Sequence, residues 1–117
     1  MERGHLTEQS DLGRITIAPE AIAQIVGNTA AECYGVVGMA GKGLKSRLTR
    51  DKLTQGIAVS GSPQGLRLDL HVVVEYGLNL AEVAATVRSR VAYEVERLTG
   101  LTVAAVEVHI EDVRRTA

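Results

Sequence analysis

The stretch "VVVEYGLNLAEVA", residues 72–84, joins the clearest strand of the chain to its clearest helix. Apolar and polar residues alternate up to Tyr76, which is typical of a strand with one buried face. The predicted inward residues are Leu66, Leu68, Leu70, Val72, Val74 and Tyr76, and Arg67, Asp69, His71, Val73 and Glu75 point the other way.

A helix follows Gly77 almost at once. Asn79 is a favourable N-cap, and Glu82 three residues later completes a capping pair. Gly100 supplies a left-handed C-cap. Glu75 is the one carboxylate here to weigh as a catalytic base, but it belongs to the polar face of the strand. The stretch is therefore interpreted as a capped joint and not as an active-site elbow. The apolar stripe of the helix is Leu80, Val83, Val87, Val91, Val95 and Leu98.

The remaining elements complete an α+β pattern. "GRITI" (13–17) alternates as a half-buried strand, and an apolar stripe from Ile22 to Cys33 predicts a helix that begins at Pro19. "GIAVSG" (56–61) predicts another strand, and the last strand has Ala104, Val106, Val108 and Ile110 inward. The order β-α-β-β-α-β predicts a four-stranded sheet with two helices on one face, the ferredoxin-like split βαβ arrangement.

The chain of 117 residues is expected to form a single domain. We predict a flexible N-terminal tail over residues 1–11 and one α+β domain over 12–115. Residues 35–56 are interpreted as a Gly-rich and basic connection inside that domain.

The composition of the chain disfavours nucleic-acid binding and membrane insertion. The formal net charge is −1 and the sequence pI is about 6.3, so no global field draws the protein to nucleic acid or to an anionic membrane. Trp and Phe are absent, which disfavours base stacking. No apolar run reaches the length of a signal peptide or a membrane span, so we expect a cytoplasmic protein without direct membrane insertion.

Three candidate sites are weak. "GMAGKGLKS" lacks the glycine and the Ser or Thr that a phosphate loop needs, and it follows a helix. Cys33 lies on an apolar stripe, where most cysteines are buried and inert. His71 and His109 share outward strand faces with carboxylates, but a ferredoxin-like order would place the first strand between them. We therefore expect no cofactor, no catalytic set and no tight divalent metal site.

The ordered pieces resemble the alkaline shock protein family of bacterial envelope stress response proteins. The resemblance is carried by "GRITIAPEAIAQIV", "ECYGVVGMAG" and "VVVEYGLNLAEVAATVRSRVAYEVERLTGLTVAAVEVHIEDV". It implies a small cytosolic protein of the envelope stress response, with no enzymatic activity attached. It also implies a protein partner, such as a small membrane-anchored protein that recruits it to the membrane, and leaves self-association open.

Two function hypotheses remain. The first is a non-enzymatic interaction or scaffold protein whose partner binds a basic segment comprising Lys42, Lys45, Arg47, Arg50 and Lys52. The alternative is a small nucleic-acid-binding module that uses the outer sheet face and residues 42–52. The acidic pI and the outward carboxylates count against this alternative.

Overall fold

The computed structural model describes residues 6–10, 12–40 and 55–115, and for 6–10 it describes the backbone. Two helices and six strands lie within these ranges. In chain order they are β1 (Leu6–Ser10), β2 (Gly13–Ile17), α1 (Pro19–Glu32), β3 (Val36–Met39), β4 (Ile57–Ser62), β5 (Gly65–Glu75), α2 (Leu80–Thr99) and β6 (Val103–Arg114).

The helix ends follow from local chemistry. Pro19 opens α1, where its missing N–H has no intrahelical partner to lose. The backbone N–H of Glu82 donates to the Asn79 side chain over 3.0 Å, which confirms the predicted N-cap of α2. Gly100 adopts the left-handed conformation, with φ of 78°, and its N–H donates to the Glu96 carbonyl. Both predicted helices are therefore confirmed.

Strand β5 is the centre of the main sheet. Strand β6 pairs with one edge of β5 in parallel, from Leu66 to Glu75. Strands β4 and β3 both pair with the other edge, antiparallel and end to end. They meet at His71, whose N–H donates to the Gly56 carbonyl and whose carbonyl accepts from the Ala40 N–H, each over 2.9 Å. Ala40 and Gly56, which lie on either side of residues 41–54 in sequence, thus bond to the same residue of β5.

Both helices cover one face of this sheet, and the core lies between the helices and the sheet. Most of its members are valine, leucine or isoleucine, and burying each of these side chains contributes about 1.5–3 kcal/mol relative to exposure. The fully buried side chains are Ile22, Val26, Leu68, Leu70, Val72, Val74, Val87, Val91 and Val95.

The predicted α+β class, with a four-stranded sheet and two helices on one face, is confirmed. The position expected for the first strand is wrong. β2 pairs with β1 in a separate two-stranded hairpin, and β3 occupies a place in the main sheet. β5 and β6 are consequently direct neighbours. Alternation of apolar and polar residues identifies the faces of a strand but not its neighbours.

Smaller predictions need correction as well. Residues 6–10 form β1 inside the tail that was predicted over 1–11. Val36–Met39 forms β3 inside the predicted connection 35–56. Ala104 is exposed, because an irregularity in the pairing leaves it without a partner between Val103 and Ala105. Tyr76 is 55% exposed, and its ring lies 4.1 Å below the guanidinium of Arg115.

Candidate functional site

The outer face of the sheet, away from the helices, carries a cluster of histidines and carboxylates. Strand β5 contains the triplet "DLH" (69–71) and β6 contains "EVH" (107–109). The parallel register places Asp69 opposite Glu107 and His71 opposite His109. Because alternate residues of a strand share a face, both acids and both histidines lie together on the outer side. We call Asp69, His71, Glu107, His109 and Glu111 the acid–histidine cluster.

The side chains of the cluster contact one another closely. Nε2 of His109 lies 3.0 Å from Oδ1 of Asp69 and 3.8 Å from Oε1 of Glu107. Nδ1 of His71 lies 2.7 Å from Oε2 of Glu111. The two imidazole rings stack with centroids 4.5 Å apart and an angle of 12° between their planes. Each ring is thus held between the other ring and a carboxylate.

The charge of this face is negative. Three carboxylates, those of Asp69, Glu107 and Glu111, belong to the cluster, and the guanidinium of Arg67 approaches Glu107 only to 4.0 Å. Asp69 and Glu107 are directly opposite, where like charges destabilise a strand pair. The outer face therefore favours cations and repels phosphate, which disfavours the nucleic-acid alternative that required this surface.

The expectation that the histidines lie far apart is wrong, because β5 and β6 are adjacent. The sequence did contain a usable signal. An acid, an apolar residue and a histidine recur in the same order in two strands, and a direct parallel pairing would bring the two triplets together. The expectation of no tight metal site rested on the wrong strand order.

The hairpin β1–β2 carries a second unusual surface. Ile15 is 63% exposed, although the alternation in β2 predicted a half-buried strand. Ile17, at the end of β2, packs against the core. An apolar groove of about 400 Å³ begins two residues further on, between the first turns of α1 and strand β4. The groove is lined by Pro19, Glu20, Ala21, Ala23, Gln24, Ile57 and Val59.

Other candidates from the sequence have definite positions. Cys33 is buried, its thiol donates to the Thr29 carbonyl over 3.4 Å, and burial raises the pKa of the thiol, as an inert cysteine requires. Glu75 lies opposite Arg114 on the outer face.

Among the described residues, no helix is long and apolar enough to cross a bilayer. The predicted partner-binding residues lie outside the described ranges, namely Lys42, Lys45, Arg47, Arg50 and Lys52.

Comparison with known proteins identifies the family. A model of the alkaline shock protein 23 family, described as having a cell envelope-related function, matches residues 7–115. The chain belongs to this family. The resemblance inferred from the sequence is confirmed.

Relatives support the assignment over nearly the whole chain. YloU of Bacillus subtilis is 36% identical over 109 residues, covering 89% of this chain and 91% of that protein. YqhY of the same organism is 31% identical, covering 88% and 78%. A stress response regulator gls24 homolog of Streptococcus pyogenes is 28% identical, covering 87% of this chain and 59% of that protein. The family is thus one of envelope and stress-response proteins.

Solved structures agree on the fold. A variant of the MamM CTD aligns with a TM-score of 0.55 and 14% identity, covering 84% of this chain and 83% of that one. A second variant, described as a zinc form, aligns with a TM-score of 0.51 and 16% identity, covering 83% and 87%. These domains have a ferredoxin-like fold. At such low identity the likeness shows the fold alone.

Proposed function

We propose that this protein is a non-enzymatic interaction protein of the envelope stress response, cytoplasmic and recruited to the membrane by a protein partner. The family assignment supports the envelope and stress-response part. The interaction part rests on one structural observation. The apolar side chain of Ile15 is exposed on a hairpin that belongs to no larger sheet within the described residues.

The hairpin favours binding on energetic grounds. An isolated two-stranded hairpin is marginally stable in water, and strands gain stability when one face packs against another surface. Strand β2 alternates as if one face were covered, with Arg14 and Thr16 on one side and Ile15 and Ile17 on the other. A partner that covers Ile15 would account for this alternation. Covering a large aliphatic side chain contributes about 1.5–3 kcal/mol.

The groove beside the start of α1 is a second part of the proposed interface. It follows β2 directly in the chain, and Ile57 and Val59 of the edge strand β4 line its far side. A partner segment that contacts Ile15 and continues into this groove would gain apolar area and the edge of β4 that pairs with no described strand. We therefore propose the exposed face of the hairpin and the groove as two parts of one interface.

The test uses a matched pair of variants in β2. Ile15→Asp places a charge on the proposed interface, whereas Thr16→Asp places the same charge on the opposite side of the same strand. Both positions are exposed, so the free energy of unfolding should change by roughly 0.5 kcal/mol or less. We expect Ile15→Asp to lower the fraction of the protein that sediments with native membranes, and Thr16→Asp to leave it unchanged.

A photocrosslinking residue at position 15 gives a second, direct measurement in cells. We expect a discrete adduct with a membrane-anchored protein from position 15 and little from position 16. An adduct of twice the protein's own mass would instead indicate self-association through the hairpin. Equal membrane recovery of both variants, with no adduct specific to position 15, would exclude the hairpin as the interface.

A further inference from the structure

We propose that the acid–histidine cluster binds one divalent transition-metal ion through Asp69, Glu107 and His109. The donor atoms are Nε2 of His109 and one carboxylate oxygen from each acid, and all three lie within 4.8 Å of one another. The inference goes beyond the proposed interaction function and does not depend on it.

The spacing of the donors suits a single ion. Metal–ligand bonds of about 2.1 Å place neighbouring ligand atoms roughly 3.0–3.5 Å apart in octahedral or tetrahedral geometry. The observed separations from His109 Nε2 are 3.0 Å to Asp69 and 3.8 Å to Glu107. Small side-chain rotations on a rigid strand pair bring all three atoms into this range. The three residues come from adjacent strands in fixed register, so the backbone needs no movement.

The donor types select the class of metal. An imidazole nitrogen with two carboxylate oxygens is a mixed set that suits Zn²⁺ and similar first-row ions better than the hard, oxygen-preferring Mg²⁺. Three protein ligands leave the remaining positions to water, since the cluster is at the surface. The site should therefore bind Zn²⁺ more weakly than a closed four-ligand structural site.

Electrostatics on the outer face provides an independent argument. Asp69 and Glu107 are opposed in the sheet, and the guanidinium of Arg67 is 4.0 Å from Glu107 and not closer. A divalent ion between the two carboxylates converts their repulsion into attraction. The positions at which the β5–β6 pairing shifts, after Leu66 and after Val72, lie on either side of the three proposed ligands. Such irregularities often occur beside functional sites, where they redirect side chains.

His71 has a positioning role in this site. Its ring stacks on His109 and its Nδ1 is engaged by Glu111. The stack fixes the orientation of the His109 ring, as outer-shell partners of metal ligands commonly do. Removal of His71 should therefore weaken the binding of Zn²⁺ without changing the number of ions bound.

The test is calorimetric titration of tag-free protein with Zn²⁺, with equilibrium dialysis and elemental analysis for stoichiometry. We expect one saturable event with one Zn²⁺ per chain, and no comparable event with Mg²⁺. His109→Ala, Asp69→Asn and Glu107→Gln should each weaken binding roughly tenfold or more. His71→Ala should keep the stoichiometry with a smaller loss. His5→Gln removes the third histidine of the chain and should change nothing.

Several results would overturn the site. They are the absence of a saturable event, equal affinity in the three ligand variants, loss of binding in His5→Gln, and half an ion per chain, which would place the metal between two copies. The near-isosteric variants Asp69→Asn and Glu107→Gln keep the test decisive if His109→Ala fails to fold. Titrating Co²⁺ and following its visible absorption adds a direct reading of ligand geometry, and the ligand variants should abolish that spectrum.

Discussion

Replacement of Gly56 by alanine tests the junction at which β3 and β4 meet on β5. A Cβ atom at this position would lie 2.2 Å from the carbonyl oxygen of Ala40 and 3.2 Å from that of His71. The φ angle of Gly56 is 73°, a backbone conformation that residues with a side chain rarely adopt. The substitution therefore combines backbone strain with a clash against main-chain atoms that cannot rotate away.

Gly77→Ala separates these two contributions. Gly77 also has a positive φ, 100°, but an added Cβ would meet nothing within 4 Å. Its cost should be that of the backbone conformation, about 1 kcal/mol. Relief of the clash at Gly56 requires β3 and β4 to separate, which strains the hydrogen bonds of Ala40 and Gly56 to His71. Overpacking of this kind costs about 1–3 kcal/mol more.

Urea denaturation followed by circular dichroism measures the difference in stability between Gly56→Ala and Gly77→Ala. With a denaturant dependence of about 1.5 kcal/mol/M, an extra 2 kcal/mol lowers the midpoint of Gly56→Ala by roughly 1 M relative to Gly77→Ala. Gly38→Ala, with no strained φ and nothing within 4 Å of the added Cβ, serves as the neutral control. A midpoint for Gly56→Ala equal to that of Gly77→Ala would show that the two strand ends do not meet as described.

Two further predictions concern the second helix and the basic segment. Gly100→Val should destabilise the protein by about 1 kcal/mol or more in chemical denaturation, because a branched side chain is forced into the left-handed cap at φ of 78°; an unchanged midpoint would argue against that cap. The combined reversal of Lys45, Arg47 and Arg50 to Glu should change the free energy of unfolding by less than about 1 kcal/mol and weaken co-sedimentation with native membranes in a salt-dependent manner. Equal recovery of the reversed and native proteins at every salt concentration would remove the segment from the interface.

The sequence predicted the positions of the helices and strands better than it predicted which strands pair with one another. The Asn79 cap of α2, its Gly100 terminus and the four central valines of its stripe are found as expected, because each depends on residues close together in the chain. Leu80 and Leu98, which were predicted to end that stripe, are instead exposed at the two ends of the helix. The pairing of β5 with β6 depends on contacts between residues far apart in the chain, such as Asp69 and Glu107. Both strands have one apolar and one polar face, so alternation alone allows either a direct pair or an intervening strand.

Two other differences have local physical causes. Val36–Met39 is a short run with a glycine, among several other glycines, so its composition resembles a loop; its strand state comes from pairing with Val72–Val74 of β5. The irregular pairing at Ala104 leaves Ala104 exposed while Val103 packs against the core, and Val106 packs there as predicted. Such shifts depend on the partner strand, and periodicity along one strand cannot reveal them.

The candidate site shows the same division between local and distant information. The outward orientation of both histidines and of their acidic neighbours could be predicted from alternation within each strand. Their contact could not, since it requires the register that places Asp69 opposite Glu107. Because the expected strand order was wrong, the residues of one cluster were interpreted as two separate groups on the surface.

The position of His71 connects this cluster with the basic segment inferred from sequence. Its backbone bonds to both Ala40 and Gly56, so the chain that carries the lysines and arginines departs from and returns to the residue whose ring stacks on His109. Ala40 and Gly56, the described residues that flank the basic segment in sequence, therefore both bond to a strand residue of the acid–histidine cluster. The carboxylates of the cluster attract cationic side chains, and a divalent ion bound by Asp69, Glu107 and His109 would cancel much of that local negative charge. If both proposals hold, Zn²⁺ should increase the salt-sensitive membrane recovery of the native protein. Glu107→Gln, which removes one carboxylate without adding charge, should reduce the response of that recovery to Zn²⁺.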